Sequence, residues 1–76
     1  MRFATKKMRA RVEVDQLQVE FEDGASRNWD LPTPSDRQAI KRIRGEAVLW
    51  AKEQGATEGQ VNAVKKALTD AGYYLR

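Results

Sequence analysis

The side chains of this chain that can do chemistry are carboxylates, amides and cations, because it contains neither Cys nor His. Without thiolates or imidazoles it has no disulfide, no soft metal ligand, no triad base and no side chain that titrates near neutrality. The densest carboxylates, Glu20, Glu22 and Asp23, share one short stretch with no Gly-rich phosphate loop beside them, a poor arrangement for acid–base catalysis. The expectation is a non-enzymatic protein with no cofactor, no metal and no small-molecule substrate. Binding chemistry concentrates instead in the C-terminal half. Gln60 and Asn62 carry the amide pattern that pairs with adenine edges, and Lys65 and Lys66 suit phosphates or guanine. Glu58 repels phosphate, yet it can accept from cytosine and it favours a helix N-terminus. Upstream, Arg37, Lys41, Arg44 and Lys52 are spaced to share one side of a helix.

The elements that position these groups follow from length and patterning. Seventy-six residues support one core, so residues 1–76 are expected to form a single domain. Hydrophobic residues make up 41% of the chain and charged residues 33%, which is enough apolar surface to fold and not enough to sit in a bilayer. The longest apolar run, Ala47 to Ala51, falls far short of the roughly 20 residues a membrane span needs. Residues 1–7 hold no apolar signal core, so a soluble cytoplasmic protein with no membrane partner is expected. The net charge of +3 is distributed unevenly. Arg2, Lys6 and Lys7 face no acid in the first seven residues, residues 8–31 are acidic on balance, and residues 32–76 are basic on balance. Residues 1–7 read as a basic flexible tail, either a solvated end or an arm toward phosphates.

From Met8 the apolar residues alternate as Met8, Ala10, Val12 and Val14, then again as Leu17, Val19 and Phe21, which predicts two half-buried strands. Pairing them across an Asp15-Gln16 turn sets Val12 opposite Val19 and Ala10 opposite Phe21. The other face then carries Arg11 opposite Glu20 and Arg9 opposite Glu22. Asp23-Gly24 signals a second turn, and Arg27, Trp29 and Leu31 suggest a third strand, completing a β-meander over 8–31. Trp29 and Phe21 are expected in the core rather than as a stacking platform for bases.

Pro32-Thr33-Pro34 ends the sheet. Ser35 with Gln38 reads as a capping box, so a helix is predicted from Asp36 to the Gly55 stop. Ile40, Ile43, Ala47, Trp50 and Ala51 fall within about 100° on its wheel as a core stripe. The stripe stays in phase across Gly45, which favours one helix over two short ones. Arg37, Lys41, Arg44 and Lys52 fall within about 80° on one flank, with Glu46 and Glu53 opposite. This flank either tracks a phosphate backbone or is simply wet. Leu49 and Val48 lie off the stripe, suited to a homodimer contact if exposed and to the sheet if buried. Thr57 with Gln60 is a second capping box, and Val61, Val64, Leu68 and Ala71 form the inner face of a last helix that Gly72 stops. Tyr73-Tyr74-Leu75 then packs back on the sheet or forms a short strand. The fold class is α+β: a three-stranded antiparallel sheet followed by two helices packed on one face, the helical pair occupying 35–72.

Within that pair, Ala51 is a small residue where two helices cross, Gly55 stands four residues later where positive φ is needed, and Val61 and Val64 pin the second helix. Trp50 and Ala56 fill apolar slots at the crossing, and Thr57 opens the second helix. On these residues the segment 47–67, AVLWAKEQGATEGQVNAVKKA, resembles a helix-turn-helix DNA-binding motif. It departs from that pattern at Gln54, where an apolar or small residue is usual, at Gly59 in the first turn of the second helix, and in showing no third packing helix unless residues 36–44 supply it; a preceding sheet is also unusual. A plain helical hairpin is the competing description. The resemblance implies a small DNA-binding protein, a compact transcriptional regulator, reading the major groove with the helix at 57–71. Thr57, Glu58, Gln60, Asn62, Lys65 and Lys66 would then face DNA, with Arg37, Lys41, Arg44 and Lys52 on its backbone. The rival expectation is a protein–protein interaction module using a sheet edge or an exposed helix face.

Overall fold

The structure, a computed structural model, describes residues 6–73. Its elements are β1 (Met8–Glu13), β2 (Gln16–Phe21), β3 (Ser26–Asp30), α1 (Arg37–Glu53) and α2 (Glu58–Asp70). The strands form one antiparallel sheet in the order β1-β2-β3, and the two helices follow, so the architecture is α+β. Alternation does what it should. Leu17, Val19, Phe21 and Trp29 point into the core, with Met8, Ala10 and Val12 packed beside them, while Arg9, Arg11, Glu20, Ser26 and Asn28 are exposed on the opposite face.

The register of β1 on β2 differs from the expected one by two residues: Met8 pairs with Phe21, Ala10 with Val19 and Val12 with Leu17. A shift of two moves no side chain across the sheet, so hydrophobic alternation is blind to it. The turn is Val14-Asp15 rather than Asp15-Gln16, and Val14 is not a core residue. It is 91% exposed with φ +58. The observed pairing gives Phe21 a partner in Met8 and seats Leu17 between Val12 and Trp29. The expected one would have set Met8 opposite Asp23. At the other turn Gly24 has φ +96, and the Asp23 carboxylate accepts from the Ala25 N–H at 3.1 Å.

Helix α1 is continuous across Gly45, with Ile40, Ile43, Ala47 and Ala51 buried. Its N-cap is Asp36, whose carboxylate accepts from the Ala39 N–H at 3.2 Å, and not Ser35, whose hydroxyl bonds that of Thr33 instead. Both residue types cap well, but the chain bends to place the carboxylate one residue later. Helix α2 buries Val61, Val64 and Leu68. Both helices end alike. After α1, Gly55 N–H bonds the Lys52 carbonyl and Ala56 N–H the Ala51 carbonyl. After α2, Gly72 N–H bonds the Thr69 carbonyl and Tyr73 N–H the Leu68 carbonyl. These paired bonds require left-handed backbone at the glycine, and Gly55 and Gly72 have φ +90 and +94.

Trp50, expected at the crossing of the helices, has its aromatic neighbours on the sheet. It leans on the sheet, 5.7 Å from the Phe21 ring and 5.8 Å edge-on to Trp29, so it joins α1 to β2 and β3, while α2 lies over β1. The expected flexible tail is also held at its inner end. Lys6 Nζ bonds Asp23 at 3.0 Å and sits 5.0 Å from the Phe21 ring centre, and the Lys7 carbonyl accepts from the Glu22 N–H at 3.0 Å. Arg2 of the expected arm, and Tyr74 and Leu75 of the expected C-terminal return, lie outside the described residues; Tyr73 packs against the core.

Candidate nucleic-acid interface

Five cations are carried by α1: Arg37, Lys41, Arg44 and Lys52 on one flank, and Arg42 on the side of Glu46 and Glu53. Because that helix is unbroken from Arg37 to Glu53, Arg37 and Lys52 sit on one rigid rod about 22 Å apart along its axis, at 1.5 Å of rise per residue. Arg37, Lys41 and Lys52 are exposed and Arg44 is half-buried beside the core stripe. Downstream, the tight stop at Gly55 and the cap at Thr57 leave only Gln54 to Thr57 between the helices. That short connection brings the end of α1 against the start of α2. Lys52, Ala56, Glu58, Val61, Asn62 and Lys65 line one groove there. Lys52 and Lys65, from different helices, thus share a site with Asn62. Periodicity within either helix does not show this meeting; only the length of the turn does.

The cations here are not ion-paired, a condition they share among the described residues with Lys7, Arg27 and Arg42. Among the described residues the ion pairs are Lys6–Asp23, Arg9–Glu20, Arg11–Glu13 and Lys66–Asp70. None of them involves Arg37, Lys41, Arg44, Lys52 or Lys65. Glu46 and Glu53 stand on the far side of α1, so one flank of that helix carries positive charge without local neutralisation. Glu58 is the acid within the groove, exposed in the first turn of α2, where the helix dipole favours it.

The remaining expected contacts have other occupations. Thr57 Oγ1 accepts from the Gln60 N–H at 3.1 Å, and the Gln60 carbonyl oxygen accepts from the Thr57 N–H at 3.0 Å, the reciprocal box the spacing predicted. The Gln60 amide nitrogen donates to the Lys6 main-chain carbonyl, so both ends of this side chain are engaged and it tethers the start of β1 to α2. Gln60, expected to face bases, thus has both ends of its amide engaged within the protein. The signal was present in the capping-box spacing, which already claimed half of the amide. Lys66 Nζ bonds Asp70 at 2.9 Å, and that pairing holds the ammonium above its ordinary pKa of 10.5. Thr69 donates its hydroxyl to the Lys65 carbonyl at 3.1 Å. Asn62 is exposed beside the groove.

The acidic stretch does not assemble into a site. Glu20 pairs with Arg9 on the outer sheet face, and Asp23 serves the Gly24 turn and Lys6. Donation from the Ala25 N–H, and secondly from Lys6, holds the Asp23 carboxyl below its ordinary 3.8. Among the described residues no group of three Asp or Glu is arranged to hold a metal, and no helix is long and apolar enough to cross a membrane. Compared with protein-family models, with curated proteins and with solved structures, the chain matches none of them.

Proposed function

We propose that the chain is a small DNA-binding protein that presents α2 to the major groove and lays the basic flank of α1 along the backbone. One observation carries this reading: Arg37, Lys41, Arg44, Lys52 and Lys65 have no ion-pair partner among the described residues, the first four along one flank of α1 and Lys52 meeting Lys65 of α2 in the groove that holds Asn62. Unpaired cations on a rigid frame attract a polyanion, because each phosphate neutralised releases condensed counterions. Support for the reading comes also from the positions on which the helix-turn-helix resemblance rests. Ala51 is fully buried, Gly55 has φ +90, and Val61 and Val64 are buried beneath α2. Departures remain at Gln54 and Gly59, and a sheet stands where a third helix is usual.

A test is fluorescence anisotropy of the full chain with a random-sequence duplex at two salt concentrations. DNA binding predicts measurable affinity at about 50 mM salt that falls steeply by about 200 mM. No binding at the lower salt defeats the reading. A second reading, a protein-interaction module, is favoured by Leu49, which is 62% exposed on α1 away from the core. In its simplest form two chains pair through that side, and sedimentation at rising concentration, with Leu49→Glu as control, distinguishes it.

A further inference from the structure

We propose that this interface takes duplex DNA irrespective of sequence, held through its phosphates with Asn62 as the one base-directed amide; the inference rests on the DNA-binding reading above. Discrimination between bases needs side chains whose donors and acceptors are free to meet a base edge. On α2 these are occupied. Gln60 bonds Thr57 with its oxygen and the Lys6 carbonyl with its nitrogen, Thr57 bonds Gln60, Thr69 bonds the Lys65 carbonyl, and Lys66 bonds Asp70. Gly59 and Ala63, exposed on the same helix, have no hydrogen-bonding side chain at all. That leaves Asn62, the Glu58 carboxylate and Lys65; Lys65 belongs with the phosphate-directed cations, and Glu58 shares its groove with Lys52 and Lys65.

The cations are in the opposite condition. Arg37, Lys41, Arg44, Lys52 and Lys65 have no ion-pair partner among the described residues. Phosphate contacts of this kind fix position on the duplex and carry no sequence information. Five such contacts predict a slope of log affinity against log salt of about −4.5, so affinity drops about 500-fold between about 50 and 200 mM. One amide on adenine adds about tenfold preference at one base pair, and about a hundredfold at most.

The experiment is selection of the full-length chain on duplexes with a randomised core, followed by anisotropy titration of the selected duplexes and the starting pool at about 50 mM salt. The expected result is selected duplexes bound less than about a hundredfold tighter than the pool. Asn62→Ala, with unchanged circular dichroism, should abolish the residual preference among the selected duplexes. A duplex bound more than about a hundredfold tighter overturns sequence-independent binding while leaving the DNA reading intact. A preference that persists in Asn62→Ala overturns the assignment of Asn62 as the base-directed amide. Failure of pool and selected duplexes alike to bind at this salt removes the DNA reading itself, and the inference with it.

Discussion

On the outer face of the sheet, Arg9 meets Glu20 at 3.7 Å, Arg11 meets Glu13 at 3.2 Å and Gln18 at 3.2 Å, and Gln16 donates to Asp30 at 2.9 Å. On the helical pair, Arg37, Lys41, Arg44, Lys52 and Lys65 meet no carboxylate among the described residues. The residue types are the same and their employment is not. Exposed pairs like those on the sheet contribute little to stability, about 0 to 1 kcal/mol, but they cancel each other's field and fix strand neighbours. The unpaired cations form no ion pair that ties one element to another, and they leave a field that a partner can neutralise. Charge pairing, more than charge count, separates the surface that organises this molecule from the surface we assign to binding.

The largest test of that division is at the joint between the regions. Trp50 connects α1 to Phe21 and Trp29, so Trp50→Ala should cost about 3 kcal/mol, the lower end of the range for truncating a large aromatic because the residue is only half-buried. Urea denaturation measures it. A loss under about 1 kcal/mol would mean that the helical pair is held by other contacts. Next, Thr57→Ala removes the cap of α2 and half of the reciprocal box, with an expected cost of about 1 kcal/mol and a weaker grip on DNA through a frayed first turn. Stability and binding should fall together, unlike the effect of changing an unpaired cation.

At the far tip of the sheet, Val14 is a β-branched residue at φ +58 with 91% of its surface exposed. Left-handed backbone costs an L-residue about 1 to 2 kcal/mol, and glycine is relieved of it, so Val14→Gly should raise stability by about 1 kcal/mol and leave DNA binding untouched. A destabilised variant would show that the valine makes contacts that outweigh its strain. The smallest effect concerns acid. The Asp23 carboxyl lies below its unfolded value near 3.8, held there by the Ala25 N–H and Lys6. Its contribution is therefore present above that value and lost as pH falls through the folded pKa. Melting curves between neutral and strongly acidic pH should show a small loss at the acidic end that Asp23→Asn lacks. An identical acid profile in the variant would assign that loss to other carboxylates.

Much of the fold was legible because its signals are periodic. Alternation from Met8 to Phe21 marks strands, the stripe from Ile40 to Ala51 marks one helix through Gly45, and Thr57 with Gln60 marks the start of the next. What failed was long-range or degenerate. Register slipped by two because either pairing keeps the same faces. Ser35 and Asp36 are both good caps, and adjacency hid which would be used. Trp50 has an apolar stripe position in either packing, and only its rings' distances to Phe21 and Trp29 show which neighbour it takes. In the candidate site the basic flank of α1 followed from the wheel, whereas the meeting of Lys52 with Lys65 and the capture of Gln60 by the Lys6 carbonyl depend on how distant segments dock.

The measurement closest to the central claim is the salt dependence of duplex binding by a Lys41→Gln, Lys52→Gln, Lys65→Gln triple variant, read beside its melting curve. If the unpaired cations carry binding and not folding, the slope should flatten from about −4.5 to about −1.8 as three of five phosphate contacts disappear, with thermal stability unchanged. A triple variant that binds with the parent's affinity and the parent's slope would contradict the account.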